Sequence, residues 1–475
     1  MIELDRTGRP LTAQIADRLA ALIQTGQLGA GSRLPSVRQM AARLKVSTFT
    51  VIAGYDRLIA RNLIEARAGA GYFVIGAAKP QAADLSAALA DPVDAVGFAL
   101  QALDSSGAEV RSGSGFLPES WLADVVPAAL VARVAKTRNA LQGSAPAQGH
   151  VGLRRQLSDH LAGVGIAANP AQIITTIGAT QALDLLLRTL LQAGDSLIVE
   201  DPGYLFYSAQ ARALDLNLVP VPRLADGPDL AAFDEALKSF KPKAFVTQTL
   251  LHNPTGSTTS AANCHRLLSL AESHGLAVIE DDVYGSIAPK GATRLAQLDG
   301  LRHTYYVGSF SKLLSPALRV GFMAVPREAV DRVVGQKILS VLATPSFGEV
   351  IVEAVLDSGR YLRHTQQVSG KLAQHRQRAQ ALLADAGVTL TPADGMFLWG
   401  RFEPMKDSDN LVRRALEAGI LLAKGSLFSP TGSYTDYLRF NVAHSCDVRL
   451  GQFLRDAAPL QPKAEVRYLR PRIHG

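Results

Sequence analysis

The sequence predicts an α/β fold, with a mostly parallel central sheet and a smaller C-terminal α/β subdomain, preceded by a separate small module of helices and a hairpin. Three observations predict it. At 475 residues the chain exceeds what one ordinary core holds, so two or three domains are expected. From about Arg111 onward, apolar strand-like runs alternate with helical stretches, the pattern of parallel strands joined by helices. Residues 1–76 read instead as three short helices followed by two short strands.

In the first module, Leu11, Ile15, Leu19, Leu22 and Ile23 recur at helical spacing and predict a helix over Leu11–Gln24. Gly26, Gly29 and Gly31 then break the chain. Leu34-Pro35-Ser36 opens a second helix with Ser36 as its N-cap, running through Met40, Ala41 and Leu44 and stopping near Lys45-Val46. Ser47 caps a third, Thr48–Ala60, whose inner face is Val51, Tyr55, Leu58 and Ile59. Two helices joined by so tight a turn form a helix-turn-helix, the unit whose second helix enters the major groove of DNA. Leu63–Ala66 and Tyr72–Ile75 are strands around Arg67-Ala68-Gly69-Ala70-Gly71, a turn shaped to form a wing.

Composition narrows the class. Hydrophobic residues make up 47% and charged residues 19%, which describes a soluble globular chain rather than a disordered one. No apolar run is long enough to span a membrane, and MIELDRTGRP lacks the apolar core of a signal peptide, so a cytoplasmic protein without membrane partners is expected. Cys264 and Cys446 read as incidental reduced thiols, and no metal-ligand cluster is expected. The net charge is +7, and residues 1–76 carry ten Lys and Arg against five Asp and Glu. A small basic module is the electrostatic footprint of a DNA binder.

Residues 77–110, rich in Ala, Asp and Pro, read as a linker with one amphipathic helical piece near Val93–Leu103. In the body, Ser196–Val199, Ala244–Thr247, Ala277–Glu280 and Thr304–Val307 read as buried strands. Directly after them come Asp201-Pro-Gly-Tyr204, His252-Asn-Pro-Thr-Gly256, Asp281-Asp-Val-Tyr284 and Ser309-Phe-Ser-Lys312. Open α/β sheets bind ligands at the carboxyl ends of their strands, so four polar clusters there point to one crevice.

Those clusters supply what pyridoxal 5′-phosphate (PLP) requires: a lysine for a Schiff base, a carboxylate for the pyridinium nitrogen, phosphate donors and an aromatic face. Lys312 is the candidate for the Schiff base and Asp281 for the ring nitrogen. Asn253 and Tyr284 suit the ring phenolate, and Tyr204 the ring face. Backbone N–H groups of Gly178-Ala179-Thr180 open a helix and suit the phosphate, with Ser309, Ser311 and Arg319 as further donors.

Two resemblances become specific on these residues. The run GSRLPSVRQMAARLKVSTFTVIAGYDRLIARNLIEARAGAGYFV resembles the winged helix of the GntR family along its whole length. The resemblance implies DNA contacts near Ser36, Arg38, Ser47, Thr48, Thr50 and Tyr55. Many relatives carry arginine where this chain has Thr48, so guanine reading from that position is absent. The ordered motifs HNPTG, EDDVY and GSFSKLLSPALRVG resemble class I/II aminotransferases of PLP fold type I, over about Gly113 to Leu460. That resemblance implies that Arg439, in Tyr437-Leu-Arg-Phe-Asn-Val442, clamps the α-carboxylate of an amino-acid or amine effector. Gly143-Ser144-Ala145-Pro146 lacks the tyrosine that many relatives place there toward the partner subunit's phosphate.

A GntR head on an aminotransferase body is the layout of the MocR subfamily of regulators. It implies domains at 1–76 (DNA binding), 77–110 (linker), 111–461 (PLP-binding body) and 462–475 (C-terminal extension), a homodimer, and a DNA operator as partner. The expected function is a PLP-dependent transcriptional regulator that senses PLP, an amino-acid-like effector, or both through the Schiff base. The other readings are a working PLP-dependent aminotransferase with an accessory winged helix, or a sensor of PLP alone.

Overall fold

A computed structural model describes residues 10–24, 28–29, 31–61, 63–67, 71–75, 94–103, 107–137, 146–403 and 407–457. The chain divides into two compact units, Met1–Leu89 and Ala90–Gly475.

The head contains α1 (Leu11–Gln24), α2 (Val37–Leu44), α3 (Thr48–Ala60) and an antiparallel pair, β1 (Ile64–Arg67) and β2 (Gly71–Val74). Ser36 caps α2 through a reciprocal box with Gln39, and Ser47 caps α3 by accepting from the Thr50 N–H at 3.1 Å. Lys45 ends α2 in the left-handed region at φ 51°, which produces the abrupt turn into α3. Ile15, Leu19, Met40, Val51, Leu58 and Ile64 form the core. Gly54 lets α1 approach α3 closely, since a Cβ there would lie 3.0 Å from the Ile15 side chain. The tip of the expected wing, residues 68–70, lies outside the described residues, as do the extension at 462–475 and most of the expected linker.

One head expectation is corrected. Tyr55 is fully buried, edge-on to Tyr72, and its hydroxyl donates to the Pro35 carbonyl at 2.8 Å. Its spacing from Val51 and Leu58 places it on the inner stripe of α3, so it holds the helix-turn-helix together and has no surface to offer DNA.

The body is built on an eight-stranded sheet: β3 (Ile173–Thr176), β4 (Ser196–Asp201), β5 (Asn217–Leu224), β6 (Gly227–Pro228), β7 (Ala244–Thr247), β8 (Ala277–Asp281), β9 (Thr304–Ser309) and β10 (Gly321–Ala324). Their order is β3-β10-β9-β8-β7-β4-β5-β6. The run from β5 through β4, β7 and β8 to β9 is parallel, while β10 and β6 pair antiparallel. Successive residues point to opposite faces. Val199, Val246 and Ile279 therefore pack with Leu183, Leu187 and Val333 of the helices Gly178–Leu190 and Val330–Val341. Ile198, Phe245 and Val278 pack on the other side with Phe233, Leu237 and Leu267.

A second, antiparallel sheet in the order β11-β12-β14-β13 follows, made of β11 (Thr389–Leu390), β12 (Phe397–Arg401), β13 (Ala423–Lys424) and β14 (Tyr437–Asn441). It is the expected smaller subdomain, and β14 carries Arg439.

The body begins earlier than expected. The helix Ala95–Leu103 buries Phe98 and Ala102 in a cluster with Leu205, Trp399 and Phe428, and Val110 bridges to Ile420. These residues belong to the body and not to a linker, because an apolar stripe of that size is stable only when covered.

Candidate functional site

At the carboxyl ends of β4, β7, β8 and β9 the body encloses a cavity of about 440 Å³. Ala179, Thr180, Tyr204, Asn253, Asp281, Tyr284, Ser309, Ser311, Lys312, Arg319 and Arg439 all line it. Eleven residues picked from four strand ends, a helix start and a distant sheet thus meet in one place. Gly178 stands directly behind, at the first position of the helix Gly178–Leu190.

Asp281 ends β8 and is buried. Its Oδ2 accepts from the Tyr207 hydroxyl at 2.7 Å and from Gln248 Nε2 at 3.0 Å. Its Oδ1 has no hydrogen-bond partner among the described residues. Burial raises the carboxyl to about 6, helped by the charge of Asp282, while its hydrogen bonds, from Tyr207 and Gln248 first, oppose the shift. Tyr207 and Gln248 were not expected from the sequence. Tyr207 lies three residues beyond Tyr204 on the apolar face of a helix, and Gln248 directly follows β7.

Lys312 follows β9, and its Nζ donates to the Gly115 carbonyl at 3.1 Å and lies 4.0 Å from the centre of the Phe116 ring. Burial, and then the positive charges of Arg439 and Arg319, bring its ammonium down to about 7. A lysine so placed is substantially neutral, and therefore nucleophilic, near neutral pH.

Arg439 is almost wholly buried between Phe397 and Phe428, whose ring centres lie 4.4 and 4.7 Å from its guanidinium carbon. Nη1 donates to Asn253 Oδ1 at 3.0 Å and Nη2 to the Gly113 carbonyl, while Nε has no partner among the described residues. Burial lowers it to about 10, so it remains a cation.

The phosphate end is built by backbone. Gly178 has φ +74°, and a Cβ there would come within 2.6 Å of Arg319 Nη2. A Cβ on Gly321 would press within 2.6 Å of the Gly178 carbonyl carbon. Glycine at 178 leaves room for Arg319 beside the first turn of Gly178–Leu190, and glycine at 321 lets its strand pack against that turn; among the described residues no side chain caps this helix start. Arg319 Nη1 also donates to Ser311 Oγ at 3.2 Å.

These features fit PLP. Asp281 Oδ1 is a buried acceptor awaiting a donor, which a protonated pyridine nitrogen supplies. The uncapped helix start, Arg319 and the two hydroxyls of Ser309 and Ser311 suit a phosphate. Lys312 supplies the amine. Two arginines, Arg319 and Arg439, against the carboxylate of Asp281 suit a ligand carrying phosphate and carboxylate charge. The segment expected to lack the partner-directed tyrosine is outside the described residues but for Pro146.

In the head, Ser36, Arg38, Ser47 and Thr48 are exposed and Thr50 is half-buried. The Ser47 and Thr50 hydroxyls bond each other at 2.7 Å, so part of their capacity goes to capping α3. Phe49, which was not singled out, is 82% exposed.

Comparison with known proteins agrees with both halves. Residues 113–455 match the family "Aminotransferase class I and II", and residues 11–74 match "Bacterial regulatory proteins, gntR family". The chain is 30% identical to the uncharacterised HTH-type transcriptional regulator YdcR of Escherichia coli, over 94% of this chain and 98% of that protein. It is 29% identical to the "Probable rhizopine catabolism regulatory protein MocR" of Rhizobium meliloti, over 88% and 87%. Among solved structures it is similar to LysN, the α-aminoadipate aminotransferase of Thermus thermophilus complexed with N-(5′-phosphopyridoxyl)-L-leucine. That likeness has 27% identity and a TM-score of 0.66, over 78% of this chain and 97% of the other.

Proposed function

The chain belongs to the aminotransferase class I and II family and carries a gntR-family head, the layout of MocR-type regulators, and from that premise we propose how it works as a PLP-dependent, DNA-binding transcription regulator. The observation that carries the proposal is the convergence of Lys312, Asp281 and Arg439 on one cavity in a chain that begins with a DNA-binding head.

When bound, PLP supplies an aldehyde that condenses with primary amines and a ring that withdraws electrons. Asp281 Oδ1 would hold the ring-nitrogen proton, with Tyr207 and Gln248 fixing the carboxylate through its other oxygen. Asn253 and Tyr284 would hydrogen-bond its phenolate, and Tyr204 would lie against its ring. Gly178, Ala179 and Thr180 offer amide N–H groups, and Ser309, Ser311 and Arg319 side-chain donors, to the phosphate. Lys312 would hold the cofactor through its amine, and Arg439 would hold the carboxylate of an amino-acid effector. The other walls, including Phe98, Ala99, Leu103, Phe116 and Phe206, carry no charge. The effector is accordingly an amino acid with an apolar side chain, since burying a second charge against those groups is costly.

Effector binding changes operator affinity by the difference in its binding to the DNA-competent and incompetent arrangements. The protein acts in the cytoplasm as a homodimer, so that two heads read two half-sites. Exposed Ile338, Leu339 and Leu342, near the end of the helix Val330–Val341, support a subunit interface on the body. The test compares operator binding by apo protein, PLP-loaded protein and PLP-loaded protein with apolar amino acids, in wild type and Lys312→Ala. The variant is expected to bind DNA and to lose the amino-acid response; an undiminished response would overturn the sensing role of Lys312.

The completeness of the cofactor site, and the likeness to a solved aminotransferase, favour a second reading as a working transaminase. Multiple-turnover formation of keto acid at ordinary enzyme rates would establish it.

A further inference from the structure

We propose that the head recognises its operator through thymine methyl groups, with Phe49 and Ile52 of α3 as the reading side chains; this rests on the reading of the head as a DNA binder. Phe49 is 82% and Ile52 39% exposed, and with exposed Thr48 they form one patch, because residues three and four apart are neighbours on a helix. The patch lies at the N-terminal end of the second helix of the helix-turn-helix, the end that meets base edges.

What the same surface lacks is equally informative. Over residues 47–53 it has no Arg, Lys, Asn or Gln, so no side chain there can grip guanine or adenine by two hydrogen bonds. Its hydroxyls are Ser47, Thr48 and Thr50, and two of these bond each other. Apolar contact is what remains, and the apolar group that unmodified DNA shows in its major groove is the thymine 5-methyl. The charge around the patch identifies the occupant as a polyanion rather than a second protein surface. Arg38, Arg43, Lys45 and Arg57 are all exposed on α2, at the turn and on α3. The single acid of α3, Asp56, lies seven residues beyond Phe49, about 10 Å along the helix.

The experiment enriches duplexes from a randomised pool with the full-length, PLP-loaded protein. It then measures affinity for an enriched duplex and for copies in which single thymines are replaced by deoxyuridine, which removes the methyl and leaves base pairing intact. Enriched half-sites are expected to contain thymines whose replacement weakens wild-type binding about fourfold each, or about 0.8 kcal/mol for one buried methyl. Phe49→Ala, with Ile52→Ala as a second variant, is expected to bind thymine and uracil duplexes alike at those positions while melting as wild type does. Affinities within twofold for every uracil replacement, or a thymine preference that persists in both variants, would overturn the proposal. Failure to enrich any duplex over a scrambled control would overturn the DNA-binding reading with it. A change of oligomeric mass in Phe49→Ala without any effect on DNA would identify the patch as a protein interface instead.

Discussion

Replacing Arg439 with lysine separates charge from geometry at the effector end of the cavity. A guanidinium has five N–H groups. One on Nη1 goes to Asn253 and one on Nη2 to Gly113, which among the described residues leaves three, including the Nε–H. Three are enough for both oxygens of a carboxylate. A lysine has three donors on one atom, and with Asn253 Oδ1 and the Gly113 carbonyl still to satisfy it can give a carboxylate only one. Losing one charge-assisted hydrogen bond costs about 1.5–3 kcal/mol, or about 10- to 150-fold in affinity. The assay titrates PLP-loaded protein with L-leucine and with isopentylamine, the same molecule without its carboxylate, and follows the cofactor's visible absorption. Wild type is expected to prefer leucine by at least that factor. Arg439→Lys is expected to bind PLP as before and to keep only a severalfold preference from its remaining charge. An unchanged preference in the variant would show that the carboxylate is held elsewhere.

Three further outcomes are expected. Tyr207→Phe removes a hydrogen bond that favours the Asp281 carboxylate, so its pKa moves above about 6 and PLP affinity is lost at a higher pH on acidification; an unmoved midpoint in a binding titration against pH would refute the positioning role of Tyr207. In cofactor-free protein, Asp281 is raised by burial from 3.8 to about 6, so the folded state holds that proton more tightly than the unfolded one. The group's stabilising contribution is therefore full below about pH 4 and lost as pH rises through about 6, while a positive ring nitrogen cancels the loss. Melting curves with and without PLP should diverge over that window, and parallel curves would contradict the pairing. Tyr55→Phe should lower head stability by about 1 kcal/mol, through loss of the bond to Pro35, without changing which duplexes bind; altered sequence preference at unchanged stability would return Tyr55 to the DNA surface.

The legible parts of this molecule are those decided by local pattern. The bounds of α1 and α3 agree with expectation because apolar periodicity and the cap at Ser47 act within a few residues. The four strand ends were legible because a buried apolar run followed by Asp, Asn or Ser-Phe-Ser-Lys has few meanings in an α/β chain. What local pattern does not encode is partnership across the fold. Tyr207 holds Asp281, 74 residues away, yet in sequence it is one more aromatic on a helix face. Phe98 packs against Trp399 and Phe428, and without them its helix reads as an isolated piece of linker. Tyr55 was the opposite case. Its spacing from Val51 and Leu58 already marked it as core, and proximity to the recognition turn was the weaker signal.

The start of the body bears on the proposed effect of a small ligand on the head. A linker would be indifferent to the cavity, but Ala95–Leu103 is one of its walls, through Phe98, Ala99, Ala102 and Leu103. It is also the first described helix after the head in sequence. An effector side chain that touches this wall better in one arrangement than in the other changes the balance between them by that difference alone. A tenfold change in operator affinity requires about 1.4 kcal/mol, and one buried methylene contributes about 0.8 kcal/mol. Two methylenes packed against Phe98 and Leu103 in one arrangement are therefore sufficient. Along the series alanine, 2-aminobutyrate, norvaline and leucine, operator affinity at saturating effector should change by about threefold to fourfold per carbon, and Phe98→Ala should flatten the series. Equal responses to alanine and leucine at saturation would mean that the wall does not transmit occupancy, and that amine exchange at Lys312 alone does.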